Sequence, residues 1–286
     1  MVEFAVPEID YTRYSNRQLA TVPLAVLGVA LVVIVVWYLT TGTPVDLGMA
    51  FTGGTEVRFT TGDSLAQVRQ TFSGASFDAI RPVGTGDAYI LETQAVDIGN
   101  IERIAEQAGY SITRSESVSA SLGAAAQGQA VFGLALAFAG MGALVFVLFR
   151  TFVPSIAVIL SAFSDLMIPL AIMNIFGIEL SLGTVAALLM LIGYSVDSDI
   201  LLNNHILRRR GGFYESAYRA MRTGVTMTLT SISAMIVMTV TATLLAIPLL
   251  PQIGLILVIG LAADLMNTYM LNMSLLRWYK YEGVNA

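Results

Sequence analysis

Six stretches of almost uninterrupted apolar residues alternate with polar connections of very unequal length. The first, 22–39, holds 18 residues without a charge, enough to cross about 30 Å of hydrocarbon with little tilt. Gly42, Thr43 and Pro44 close it. The others run 129–149, 152–176, 180–207, 223–247 and 252–276. Arg150-Thr151, Gly177-Ile178-Glu179 and the turn 248–251 are short links, while 208–222 reads as a basic loop. The long polar segment between the first two stretches has a different rhythm. In 55–60, Val57 and Phe59 alternate with Glu56 and Arg58, the period of a half-buried strand. Asp63-Ser64 opens a short helix carrying Leu65, Val68 and Phe72. Strands are expected over 77–83 and 87–91, joined by the Gly84-Thr85-Gly86 turn. A second helix puts Ile98, Ile101, Ile104, Ala105 and Ala108 on one face and ends at Gly109. Residues 110–118 return as a strand. The order βαββαβ is the ferredoxin-like pattern.

The predicted fold class is therefore an all-α membrane bundle of six transmembrane helices with a small α+β domain between spans 1 and 2. It divides into an N-terminus (1–20), the first span (21–41), the inserted domain (42–125), spans two to six (126–276) and a tail (277–286). Composition agrees: 56% of the 286 residues are hydrophobic and only 12% charged, with a mean hydropathy of +0.73. Those values lie far from a soluble domain's.

Charge then supplies an orientation. With the N-terminus inside, Arg13, Arg17, Arg150, Arg208, Arg209, Arg210, Arg219, Arg222, Arg277 and Lys280 all face the cytoplasm, as the positive-inside rule requires. Residues 42–125 hold ten acids against five Arg and face outward. That acidic surface does not suit nucleic acid. Of the 15 basic residues only Lys280 is a lysine, and an acid-rich, Lys-poor surface suits a halophilic source, where salt screens self-repulsion. The first span is expected to be a retained anchor, since Thr40-Thr41-Gly42-Thr43 before Pro44 is a poor cleavage site. Cysteine is absent and His205 is the only histidine. No thiolate or histidine metal site, cofactor or catalytic constellation is expected.

Four carboxylates interrupt the apolar stretches: Asp165 in the third, Asp197 and Asp199 in the fourth, and Asp264 in the sixth. Each costs about 2.5–3.5 kcal/mol to insert, so such residues are rare without a task. Counting the helical rise places Asp165 and Asp264 within about 3 Å of the midplane, and Asp197 about 5 Å to its cytoplasmic side with Asp199 beyond. Asp197 and Asn204 share one helix face, and Asp199 and Asn203 nearly the opposite one. Asp197 is taken as facing the functional interior and Asp199 as facing a partner helix or subunit. The fifth span is rich in hydroxyls (Thr226, Thr228, Thr230, Ser231, Ser233, Thr239, Thr241, Thr243), which can pass hydrogen bonds in a wet crevice or simply aid close packing. Pro169 is expected to kink the third span just beyond Asp165. The acids are either an ion path or interhelical hydrogen-bond glue. A membrane aspartyl protease would use such a pair, but no Gly-x-Gly-Asp precedes any of them.

The run from Phe176-Gly177-Ile178-Glu179-Leu180-Ser181 through Thr184-Val185-Ala186-Ala187-Leu188-Leu189 to Ile192-Gly193-Tyr194-Ser195-Val196-Asp197 resembles the fourth-span signature of the SecD/SecF family of protein-export membrane proteins. Phe51-Thr52-Gly53-Gly54-Thr55 is similar to the glycine motif opening that family's external domain. Ser121-Leu122-Gly123 and Phe163-Ser164-Asp165 also fit the SecF branch, here of archaeal type. The resemblance implies half of a resistance-nodulation-division fold, completed by SecD and acting on preproteins at the SecY channel. It implies proton flow through a fourth-span acid. The family's acid position falls at Ser198, with Asp197 and Asp199 flanking it. Its basic residue falls near Thr226, with Arg222 one turn away. Met49-Ala50 stands where an acid-containing pair is usual. The alternative within the superfamily is half of a drug or lipid exporter, which calls for a larger external domain.

Overall fold

The computed structural model describes residues 10–83, 87–94, 98–208, 212–247 and 249–281. It contains six helices long and apolar enough to cross a membrane, and the chain is a multi-pass membrane protein. Helix α1 (Asn16–Thr41) starts at a reciprocal cap, in which Ser15 Oγ accepts from Gln18 N (3.2 Å) and Gln18 Oε1 accepts from Ser15 N (2.8 Å). A short α2 (Met49–Thr52) leads into the small domain, made of β1 (Gly54–Thr60), α3 (Leu65–Thr71), β2 (Ala79–Val83), β3 (Ala88–Thr93), α4 (Ile98–Gln107) and β4 (Ser111–Val118). The remaining spans are α5 (Ala120–Phe149), α6 (Phe152–Phe176), α7 (Leu182–Arg208) and α8 (Phe213–Leu244). The last combines α9 (Leu250–Met266), a π-helical turn (Asn267–Asn272) and α10 (Met273–Tyr281).

The four strands lie antiparallel in the order β2-β3-β1-β4, which is the ferredoxin-like sheet. Val57, Phe59, Val68, Phe72, Leu91, Ile101 and Ala105 fill the core between sheet and helices, and Phe59 stacks on Tyr110 with centroids 5.3 Å apart. The expected Gly84-Thr85-Gly86 turn lies outside the described residues. So do Arg209, Arg210 and Pro248.

Two spans begin at least nine residues earlier than their hydropathy predicts. Helix α5 starts at Ala120 rather than 129, because Ser119 Oγ caps Leu122 N (3.3 Å) and Gly123 packs on the Phe51 carbonyl. Helix α8 starts at Phe213, so most of the expected basic loop is helix. Its first turns bury Phe213, Ala217, Ala220 and Met221 against Leu202, Ile206, Tyr269 and Leu276.

Helices α6, α7 and α9–α10 form the buried centre, whereas α5 and α8 leave most of their surface open. At one end Arg277 donates to the Tyr11 (2.9 Å) and Tyr14 (2.8 Å) carbonyls and to Asn16, tying α10 to the segment that opens α1. At the other end the small domain is fastened to the bundle. Leu180 N donates to the Asp46 carbonyl (2.7 Å) and Gly48 N to the Leu180 carbonyl (2.8 Å). Asp46 also accepts from Trp37 Nε1 (3.0 Å). Gly53 holds φ +77°, and a Cβ there would lie 2.7 Å from the Ala120 backbone. The Phe51-Thr52-Gly53-Gly54 motif is thus the seam where the first strand crosses the start of α5.

Candidate functional site

Three of the four membrane carboxylates converge. Asp165 on α6, Asp199 on α7 and Asp264 on α9 are all buried, near the middle of the bundle. Asp165 is held on both oxygens: Ser195 Oγ donates to Oδ2 and Asn267 Nδ2 to Oδ1, each at 2.6 Å. Asn272 Nδ2 donates to Asp199 Oδ1 at 2.7 Å. Ser198 Oγ lies 2.7 Å from Asp264 Oδ1 and 2.8 Å from the Ser195 carbonyl. The Thr268 hydroxyl sits between two acids, 3.0 Å from Asp199 Oδ1 and 3.2 Å from Asp264 Oδ1.

The cluster leaves several buried polar atoms without a hydrogen-bond partner. Asp199 Oδ2, Asp264 Oδ2, Asn267 Oδ1 and Asn272 Oδ1 are buried and have no partner among the described residues. No Lys, Arg or His among the described residues bonds to any of the three acids. Three carboxylates therefore share a buried site with bare acceptors, an arrangement that three ionised groups do not tolerate.

Its geometry depends on the π turn. Asn267, Thr268 and Asn272 all lie within it, each fully buried, and together they reach both Asp165 and Asp199. Single π turns inside α-helices recur at functional sites. In the sequence, Asp264, Thr268 and Asn272 recur every four residues, a polar stripe that could have been read; nothing local marks the π geometry.

The other expected site residues lie elsewhere. Asp197 is exposed on the opposite face of α7 with Asn204. The predicted pairing of faces therefore appears, but Asp199, not Asp197, points into the chain's interior. The reason is that Leu188, Leu191, Ser195, Leu202 and Ile206 share the buried side with Asp199. Arg222 and Thr226 lie on the exposed face of α8, where Thr226 Oγ1 donates to the Arg222 carbonyl (2.8 Å). Among the described residues Arg222 makes no ion pair. Most hydroxyls of α8 likewise bond to carbonyls of their own helix, at 2.8 Å for Thr230, Ser233, Thr239 and Thr243, and do not reach the acids. Phe51, Gly53 and Gly54 form the seam described above, not part of this cluster.

The model of the family described as "Protein export membrane protein SecD/SecF, C-terminal" matches residues 100–282. The chain belongs to the SecD/SecF family. A SecD/SecF-family relative in Haloferax volcanii, a protein-export membrane protein SecF, is 63% identical over 99% of both chains. The SecF of Haloquadratum walsbyi is 59% identical, also over 99% of each. The SecF of Pyrococcus furiosus is 37% identical over 93% of each. The halophilic source expected from composition and the archaeal type implied by the resemblance are supported by the first two. Among solved structures, the crystal structure of SecDF, a translocon-associated membrane protein from Thermus, superposes with a TM-score of 0.75 at 19% identity, over 98% of this chain. The match spans 40% of that longer chain, so it shows the fold of one SecD/SecF-type half.

Proposed function

We propose that this chain is the SecF subunit of a SecD–SecF membrane complex that assists protein export, driven by protons passing through the Asp165–Asp199–Asp264 cluster. In this reading both termini are cytoplasmic, the ferredoxin-like domain lies outside, and the complex acts on preproteins leaving the SecY channel. Family membership supports the export role. The exporter-half alternative is less well supported, because the matched family model and the relatives quoted are all protein-export membrane proteins.

One observation carries the proton-coupled part: three carboxylates buried together with no cation bonded to them among the described residues. Protons shared among Asp165, Asp199 and Asp264 supply donors to the bare acceptors and reduce the charge held in the buried site. One charge crossing about 100 mV releases roughly 2.3 kcal/mol, so each export stroke takes several protons or is small.

The test is export of a reporter preprotein by membrane vesicles with and without an imposed proton gradient. Asp199→Asn is expected to reduce gradient-stimulated export to the level seen without a gradient, while the complex still co-purifies. Undiminished stimulation overturns proton coupling through this cluster. Loss of the complex instead favours an assembly role for the acid.

A further inference from the structure

We propose that Asn203 is a positioning residue for proton transfer: it holds a bound water beside Asp199, through which the acid cluster exchanges protons with the end of the bundle where Arg277 meets Tyr11. The proposal rests on the proton-coupled reading above and adds the side from which protons reach the acids and the residue that guides them.

Asn203 of α7 is fully buried, yet neither its Nδ2 nor its Oδ1 has a partner among the described residues. The other two amides of this region behave differently: Asn267 and Asn272 each give Nδ2 to a carboxylate. An amide left bare inside a protein is costly, and buried polar groups without a protein partner bond ordered water. Because no part of Asn203 reaches the surface of the chain, a partner subunit cannot supply the missing bonds.

The surroundings offer such a water the several polar partners it needs. Asn203 follows Asp199 by one turn on the same helix face, and Asp199 Oδ2 is bare. Ser161 of α6 also faces Asp199 without closing a hydrogen bond, and Asn272 keeps its Oδ1 free. Polar atoms that face one another beyond bonding reach are the places where water bridges. In the transfer the water gives one O–H proton to Asp199 Oδ2 and takes one from the water behind it, so its own hydrogens are conserved. The Asn203 amide exchanges no proton; its Nδ2 donates to the water oxygen and fixes it within reach of the acid.

Direction follows from what lies on either side of the acids. Toward the small domain, Ile168, Leu188, Leu191, Ile192, Leu257 and Leu261 are all buried. Leu191 presses on Gly260, where a Cβ would lie 2.3 Å from its Cδ2, so apolar packing closes that side. Asp199 is 17 residues, about 25 Å of helix, from that end of α7, whereas Asn203 is five residues, about 7.5 Å, from the other. The titratable groups along the route are Asp165 from α6, Asp199 and His205 from α7, Asp264 from α9, Tyr269 from the π turn and Tyr11 ahead of α1. On α10, Arg277 and Lys280 bond the Tyr11, Tyr14 and Ile206 carbonyls. On α8, Glu215 and Arg219 pair with each other at the surface and Arg222 is exposed, and α5 carries no ionisable residue.

In vesicles holding the complex in one orientation, the carboxyl C=O infrared band that disappears in Asp199→Asn reports protonation of the cluster after a pH jump on either face. The band is expected to respond at least tenfold faster to a jump on the face where Arg277 meets Tyr11 than to one on the small domain's face. Asn203→Leu should slow the fast response at least tenfold while the complex assembles and melts no lower than before, since leucine removes a bare amide. Asn203→Ser, with a hydroxyl and space for water, should recover most of the rate. Equal rates from both faces, or an undiminished rate in Asn203→Leu, overturn the proposal but spare proton coupling. If the leucine variant fails to assemble, the two-face comparison in the unaltered complex decides. A complex in which no such band titrates overturns proton coupling as well.

Discussion

Thr268 has one proton to give and two carboxylates within reach of it. Removing the hydroxyl takes away the one donor that Asp199 and Asp264 share in a buried site, and the loss of a buried hydrogen bond costs about 1–3 kcal/mol. Thr268→Val is therefore expected to lower the melting temperature of the purified complex, and Thr268→Ser to restore most of it; an unchanged melting curve for the valine variant shows that the hydroxyl is not needed by either acid. The carboxylates themselves were legible in the sequence, since charge in an apolar stretch stands out. Which acid of α7 turns inward was not. Each face of that helix carries one Asp and one Asn, so polarity alone is balanced. The decision comes from the larger apolar set, Leu188, Leu191, Leu202 and Ile206, lying beside Asp199.

At the scale of elements, the sheet sets like charges side by side. Glu56 on β1 lies opposite Glu92 on β3 and Glu116 on β4. Burial first, and then Glu116, pushes the Glu56 carboxyl above its ordinary value of 4.5, with Arg114 and Arg58 pulling the other way. An acid whose folded pKa is raised favours folding while protonated, and that contribution fades as pH rises through the folded value. Glu56→Gln is accordingly expected to stabilise the full chain at neutral pH by about 0.2–1 kcal/mol, with the advantage vanishing below pH 4.5 and shrinking in concentrated salt. Thermal melting across pH and salt measures it; a benefit that persists in acid contradicts the electrostatic account. The βαββαβ order was legible because period-two and period-3.6 patterns alternate cleanly there. The π turn was not, because it is imposed by side chains reaching acids on other helices, α6 and α7, and leaves no local signature. The early start of α8 escaped for a related reason: its first turns are amphipathic and pack only in the folded bundle.

At the scale of the whole molecule, the bundle is lopsided. Helices α6, α7 and α9 are enclosed, but α5 and α8 expose long apolar and hydroxyl-bearing faces, and Asp197 with Asn204 opens onto the same outside. An isolated charge on a lipid-facing surface is costly, so this face is expected to meet the partner half. Asp197→Leu should leave the chain's own stability within about 0.5 kcal/mol while reducing the amount of SecD recovered with it from native membrane. A stability loss without a recovery loss assigns Asp197 to the chain's own fold.

The ladder along α8 sharpens what that neighbour must look like. Thr223, Thr226, Thr230 and Ser233 have each committed their hydrogen to a carbonyl one turn back, at 2.8 to 3.2 Å. What they still present outward is lone pairs. A helix lying against this edge can satisfy them only by bringing N–H or O–H groups of its own, so at these hydroxyls this half accepts and the opposing half gives.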